Sequence, residues 1–388
     1  PSTPWQRGRP LSPGVKSGSV FSAYRGGRKQ HEKPKGTHLS VLRERNHDTN
    51  MLASSAGTSK STAYALVTNG VAPGLIAWTI DLASGNITQK IPVNGYNTGG
   101  ENTRDFLYDR FVNLFYQFDV DFVHKRPAAG RDITMTTIDP TTGSTSTIKL
   151  TGGAKDYVTG FCIDTVTKNM MIATDNGVEW SFYDVDTKTG ECTLKGTLTK
   201  GGDESSASFY AGYHRICDGK SAMRLGFESV VNQMKPGLGS VHFGSGVTAE
   251  WNDAVPVPDE TPFYYSAQPY KGSFVSLAPN ATTTLFNVYQ WSLPGKKAKL
   301  VAELPGGPPR VMGSGQLGFV LDALSDDTYI ALVDKDSPVP IPYPGTWDTW
   351  AMAVVDLTTG AQKFLPLSPA VLEGTTSVSG LGLPVSLN

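Results

Sequence analysis

The side chains best placed for acid–base or metal chemistry in this 388-residue sequence are three histidines and a few closely spaced aspartates. His124, His214 and His242 are the histidines beyond the first fifty residues, and none stands at metal-ligand spacing from another. His214 lies in Tyr210-Ala211-Gly212-Tyr213-His214-Arg215, where strand alternation puts Tyr210, Gly212 and His214 on one face and Tyr213 and Arg215 on the other. These three are the catalytic candidates, set against the structural role that an isolated histidine more often has. Asp119-Val120-Asp121 places two carboxylates on one face inside the apolar run Phe118–Phe122, an arrangement suited to a hard cation such as calcium. Lys125 and Arg126 are their alternative partners, and a structural calcium is the only cofactor the sequence suggests. The pairs Asp184/Asp186 and Asp334/Asp336 and the cluster Asp322, Asp326 and Asp327 complete the acidic inventory; Asp184/Asp186 reads as structural.

Other catalytic signatures fail on context. Gly313-Ser314-Gly315-Gln316-Leu317-Gly318 is followed by the strand-like Phe319-Val320-Leu321, whereas a dinucleotide site needs a helix there. There is no phosphate-binding loop and no Gly-x-Ser-x-Gly elbow, so serine-hydrolase chemistry of the α/β type is excluded. Cys162, Cys192 and Cys217 are too few for a disulfide framework or a four-thiolate zinc site. A Cys162–Cys192 bridge is conceivable within one repeat, but buried unpaired thiols are the expectation.

The elements that would position these groups are β-strands. From Ser61 onward, runs of five to eight residues rich in Val, Ile, Tyr, Phe and Thr alternate with Gly, Pro, Asn and Asp. One exception is expected: Met223, Phe227, Val230, Val231 and Met234 recur at three- and four-residue steps, which predicts a short helix over Ser221–Met234.

An apolar residue followed by Asp-x-x-Ser/Thr-Gly recurs at Ile80–Gly85, Ile138–Gly143, Val185–Gly190 and Val355–Gly360, with degenerate copies at Val241–Gly246 and Trp291–Gly295. The aspartate can accept bonds from backbone N–H groups two residues on, and the glycine supplies positive φ, so each copy predicts a tight hairpin. The mean step between their glycines, about 55 residues, is that of a four-stranded propeller blade with generous insertions. Ala65-Leu66-Val67-Thr68-Asn69-Gly70, then Ile80–Gly85, then Ile91-Pro92-Val93-Asn94-Gly95, resembles the YVTN-type β-propeller repeat. The resemblance implies architecture, and that superfamily spans surface proteins, scaffolds and the heavy chains of quinoprotein amine dehydrogenases.

The fold expectation is therefore all-β: one propeller of six or seven blades over 61–388, preceded by a basic, irregular arm over 1–60. A seventh blade would join Thr375–Val385 to a strand before Ala63. Ten Lys/Arg face three acids in residues 1–50, leaving 24 basic and 32 acidic residues after Asn50, so the arm is suited to an acidic surface. It carries nothing that reads bases, and its Ser- and Arg-rich composition also resembles a targeting segment. No apolar run approaches the ~18 residues of a membrane-spanning helix. Two Pro- and aromatic-rich stretches, Thr261–Tyr265 and Val339–Trp347, read as stiff surface loops, making Tyr264, Tyr265, Tyr343 and Trp347 the binding candidates. The leading expectation is a non-enzymatic module, secreted or organellar, that recognises a protein or glycan partner through its loop face. The alternative is a propeller enzyme, metal-assisted hydrolase or dehydrogenase-like, with its site at the mouth of the central channel.

Overall fold

The computed structural model describes residues 62–69, 74–96, 106–118, 132–164, 167–199, 207–208, 216–217, 222–229, 236–243, 246–253, 268–279, 286–292, 297–304, 322–334, 350–367 and 375–385. All lie in the unit Ala56–Asn388. Among them every regular element is a strand, paired antiparallel.

The first sheet contains β1 (Thr62–Asn69), β2 (Leu75–Asp81) and β3 (Ile87–Pro92). The second contains β4 (Leu107–Asp109), β5 (Leu114–Phe118), β6 (Thr134–Ile138) and β7 (Thr145–Lys149). The third is β8 (Tyr157–Ile163), β9 (Met170–Asp175), β10 (Glu179–Val185) and β11 (Cys192–Thr199). In the fourth, the two-residue strands β12 (Ala207–Ser208) and β13 (Ile216–Cys217) both pair with β14 (Ala222–Ser229), followed by β15 (Pro236–Phe243) and β16 (Val247–Asp253). The fifth is β17 (Gln268–Tyr270), β18 (Ser273–Pro279), β19 (Phe286–Ser292) and β20 (Lys297–Leu304). The sixth is β21 (Asp322–Ser325), β22 (Thr328–Asp334), β23 (Trp350–Asp356) and β24 (Gln362–Pro366). Finally β25 (Thr375–Gly382) returns to pair with β1, setting Tyr64 opposite Gly382 and Thr68 opposite Ser377. The C-terminal run thus completes the sheet of β1–β3, joining the two ends of the domain.

In the first, second, third, fifth and sixth sheets, burial falls from the second strand to the last, as expected when sheets stack face to face. Met170 to Thr174 of β9 are all buried, because both faces of that strand meet a neighbouring sheet. The outermost strands are Thr- and Lys-rich and largely exposed, as in Ile87–Pro92 and Thr145–Lys149. Apolar clusters fill the gaps between sheets: Leu66, Ala77, Phe106 and Phe115 between the first and second, Phe118, Met135, Phe161 and Ile172 between the second and third. Trp180, Phe182 and Val241 join the third to the fourth, and Val288, Tyr329 and Ala353 the fifth to the sixth. Trp78, Ile80, Leu332 and Met352 join the sixth back to the first. The first strands follow in the same order: β25 adjoins β4, β4 adjoins β8, β8 adjoins β13, β13 adjoins β17, and β21 adjoins β25. Gln268 of β17 is hydrogen-bonded to Asp322 of β21. This cyclic arrangement is a β-propeller.

Each of the six sequence repeats falls between the third and fourth strands of one sheet. In the second sheet Asp139 Oδ1 accepts Thr141 N–H at 2.7 Å while Asp139 O accepts Gly143 N–H at 2.8 Å, and the turns at Asp81, Asp186 and Asp356 repeat the pattern. Gly143 has φ +69° and Gly190 φ +77°. Space also demands these glycines: a Cβ at Gly143 would stand 2.7 Å from Ile91 Cγ2 and inside contact distance of Pro92 O, both in the preceding sheet.

Two expectations are corrected. Ala222–Ser229 is strand β14, not part of a helix over Ser221–Met234. The four-residue step from Met223 to Phe227 is common to both periodicities, and Met223, Leu225 and Phe227 also alternate with Arg224, Gly226 and Glu228. Cys192 is a free, buried thiol, whereas Cys162 is disulfide-bonded, so the thiols are not all unpaired and these two do not pair with each other.

Candidate functional site

The first strand of each sheet lines the axis. The turns leading from first to second strands gather at one end of the ring, here the turn end. Phe111, in the turn between β4 and β5, lies under two cations: Arg110 from its own turn, and Lys168 from the turn between β8 and β9, each 5.2 Å from the ring centroid. Arg110 donates from Nη1 to Leu324 O at 2.8 Å, spanning from the second sheet to the sixth, and burial lowers its pKa. The residues after β25 fill the same place: Ser325 Oγ donates to Pro384 O at 3.1 Å and Val385 N to Arg110 O at 3.2 Å. Tyr270 Oη and Lys271 Nζ both donate to Asp327 Oδ1 at 2.6 Å, tying the fifth sheet to the sixth. The Lys271 ammonium holds Asp327 below the usual carboxylate range, and Asp327 in turn raises the Lys271 pKa. The polar groups of the turn end are thus engaged with one another, while Val112 projects there 54 % exposed.

At the opposite, loop end the first strands begin and the second strands finish. There the carboxylate of Asp322, the first residue of β21, accepts Tyr329 Oη–H on Oδ2 at 2.6 Å and Gln268 Nε2–H on Oδ1 at 3.1 Å. Tyr329 is fully buried between the fifth and sixth sheets. The carboxylate thus takes two neutral donors at the head of an axial strand. Asp322, Asp326 and Asp327 are therefore not one acidic site: they face Tyr329 and Gln268, Arg110, and Lys271 and Tyr270 respectively. Among the described residues, no group of three or more His, Cys, Asp or Glu could hold a metal ion.

Of the residues singled out from sequence, His242 is half-buried on β15, opposite Ala222 and Thr248, in the third strand of its sheet. Asp184 pairs with Lys195 at 3.1 Å and Asp186 caps its own turn, as expected of structural residues. His124, His214, Asp119, Asp121, Tyr264, Tyr265, Tyr343 and Trp347 lie outside the described residues. Of the described strands that adjoin most of them in sequence, β5 and β22 finish and β17 starts at the loop end.

Sequence reasoning missed Asp109, Asn113, Asp164 and Lys168. Asn113 N–H bonds Asp109 O at 2.9 Å and Lys168 N–H bonds Asp164 O at 2.8 Å, the same turn as in the repeats, but with Asn113 (φ 59°) and Lys168 (φ 61°) where those have glycine. A search for aspartate followed four residues later by Gly, Asn or Lys would have found both.

No protein-family model matches the chain, and no curated protein matches it. Among solved structures it is similar to TolB from Acinetobacter baumannii, at 9 % identity and TM-score 0.44 over 84 % of this chain and 66 % of that one. The chain thus spans just under two thirds of that TolB. It is also similar to a chain of a nidogen/laminin complex (10 % identity, TM-score 0.43, 82 % of this chain and 97 % of that one). A third is the periplasmic gluconolactonase PpgL of Pseudomonas aeruginosa (10 % identity, TM-score 0.39, 84 % and 100 %). At these scores the likenesses carry no chemistry over to this chain.

Proposed function

We propose that this chain is a six-bladed propeller with YVTN-type repeats that acts as a binding module, recognising a protein or glycan partner at its loop end. The observation that carries the reading is the contrast between the ends. At the turn end Arg110 bonds Leu324 and Val385, Ser325 bonds Pro384 and Asp327 bonds Tyr270 and Lys271, while at the loop end β22 finishes and β17 starts, the strands next in sequence to the stretches that carry Tyr343 and Trp347 and Tyr264 and Tyr265. Aromatic anchors on a rigid scaffold carry much of the energy of such interfaces. The test compares the wild-type chain, Tyr343→Ala/Trp347→Ala, Tyr264→Ala/Tyr265→Ala and the turn-end variant Val112→Ser on a glycan array and in a cross-linking capture. Loss of binding in the aromatic pairs alone supports the proposal; equal binding by the wild type and all three variants overturns it.

A second reading, a propeller enzyme at the channel mouth, is favoured by the Asp322–Tyr329–Gln268 group at the axis. Under it, Asp322→Asn abolishes turnover in a substrate screen while leaving array binding intact. The arm over 1–60 serves in our proposal as a basic tether to an acidic surface. A chain beginning at Met51 should keep its melting temperature and lose salt-sensitive association with a polyanion such as heparin.

A further inference from the structure

We infer that Cys162 and Cys217 form one disulfide that staples the first strands of the third and fourth sheets, and that the chain folds in an oxidising compartment. The chain has three cysteines; Cys192 is free and Cys162 is disulfide-bonded, so parity within the chain leaves Cys217 as the partner. The backbone agrees, because Cys162 is on β8 and Cys217 on β13, neighbouring strands around the axis. Cys162 is fully buried among Met171, Ala173, Trp180 and Phe182 of its own sheet and Val241 of the fourth, so its side of β8 is the one that meets the fourth sheet.

The location is where the described residues show the least pairing of a first strand. Among the described residues, every other sheet begins with a first strand of three residues or more, whereas the fourth has the two-residue pieces β12 and β13, paired to opposite ends of β14. Ile216 and Cys217 are held by a short register with Arg224 and Met223, so a covalent link to β8 anchors the piece most able to fray. The link closes a loop of about 55 residues, which removes much freedom from the unfolded chain. Cys192 is a poor competitor in oxidation: it sits behind Gly190, donating Sγ–H to Gly190 O at 3.7 Å, and burial pushes its thiol pKa up to about 11.

Formation needs an external disulfide, such as oxidised glutathione. By exchange, the Cys162–Cys217 Sγ–Sγ bond forms, the S–S bond of glutathione breaks, and two electrons and two protons leave on two glutathione thiols. Disulfides of this kind persist in secretory or periplasmic compartments and are rare in a reducing cytosol.

The test counts thiols on the full chain after equilibration with mixed oxidised and reduced glutathione, using a maleimide and intact-mass spectrometry. The inference predicts no label in the native protein, one in denaturant and three in denaturant after reduction, with a non-reduced peptide joining Cys162 to Cys217. Cys192→Ala should lower the unreduced count in denaturant to zero, and reduction should lower Tm by about 5–15 °C. Three thiols without reduction, a cross-link involving Cys192, or a reducible dimer would each overturn it; the Cys192→Ala count decides the matter even where Cys217→Ser fails to fold.

Discussion

Gly143 and Gly272 share a backbone conformation and differ in what surrounds them, so replacing each with alanine separates backbone strain from packing between sheets. Gly143 has φ +69° and Gly272 φ +74°. A methyl group at Gly272 meets nothing within 4 Å, whereas at Gly143 it would stand 2.7 Å from Ile91 Cγ2 and closer still to Pro92 O. Left-handed backbone costs an alanine about 1–2 kcal/mol, and the loss of unfolded-state freedom returns about 0.4–1 kcal/mol, so Gly272→Ala should destabilise by about 1 kcal/mol. Gly143→Ala bears the same strain and must also push the end of β3 away, an overpacking cost of about 1–3 kcal/mol. That movement strains the bond from Asn94 N–H to Gly143 O, which ties the first sheet to the second at 2.9 Å. The expected difference is about 1–3 kcal/mol, or a Tm of Gly143→Ala lower than that of Gly272→Ala by roughly 2–10 °C. Circular dichroism during thermal and guanidinium unfolding reads both quantities. Equal destabilisation of the two variants would refute the argument that the repeat glycines are selected by the neighbouring sheet.

Other outcomes follow from the same contacts. A chain ending at Gly382 loses buried Leu383 and the bonds of Pro384 O and Val385 N to Ser325 and Arg110, and should lose about 2–4 kcal/mol of stability in guanidinium unfolding. Asp81, Asp186 and Asp327 are held below their ordinary pKa, chiefly by Ser84, by the Lys188 backbone N–H and by Lys271; bonds from Thr141 and Thr142 lower Asp139 against the opposing effect of burial. With folded pKa values below the unfolded ones, their stabilisation is present above about pH 4 and lost as pH falls through the folded values, so Tm should drop between pH 4 and 2, and Asp186→Asn should flatten that drop. Asp109, raised by burial, acts in the opposite sense and should shallow the profile. If Asp119 and Asp121 held calcium, a chelator would lower Tm; we expect unchanged melting with and without it.

The repeats were the most legible part of the fold because their chemistry is local. An aspartate that caps its own turn and a glycine at positive φ need only five residues, and all six copies mark the same turn of successive sheets. Ring closure was legible in outline: the C-terminal run was recognisable as a strand, but its register against Tyr64 and Leu66 depends on Gly380 and Gly382 clearing Phe115 and Tyr108, contacts no local pattern encodes. Ser221–Met234 misled because a step of four residues fits a helix and a strand alike. Asp322, Gln268 and Tyr329 went unrecognised as a group because they come from two sheets, with 53 residues between Gln268 and Asp322, and meet only when the ring forms. Arg110 likewise finds Leu324 across the axis, 214 residues away.

The central claim, that recognition belongs to the loop end, is tested most directly by hydrogen–deuterium exchange of the full chain with and without the ligand that the array or capture experiment yields. The account predicts new protection confined to residues 119–131, 254–267 and 335–349 and to the starts of β17 and β21. Protection centred on Arg110–Asn113, Asp164–Lys168 and Ser325–Asp327 would contradict it and move the site to the turn end.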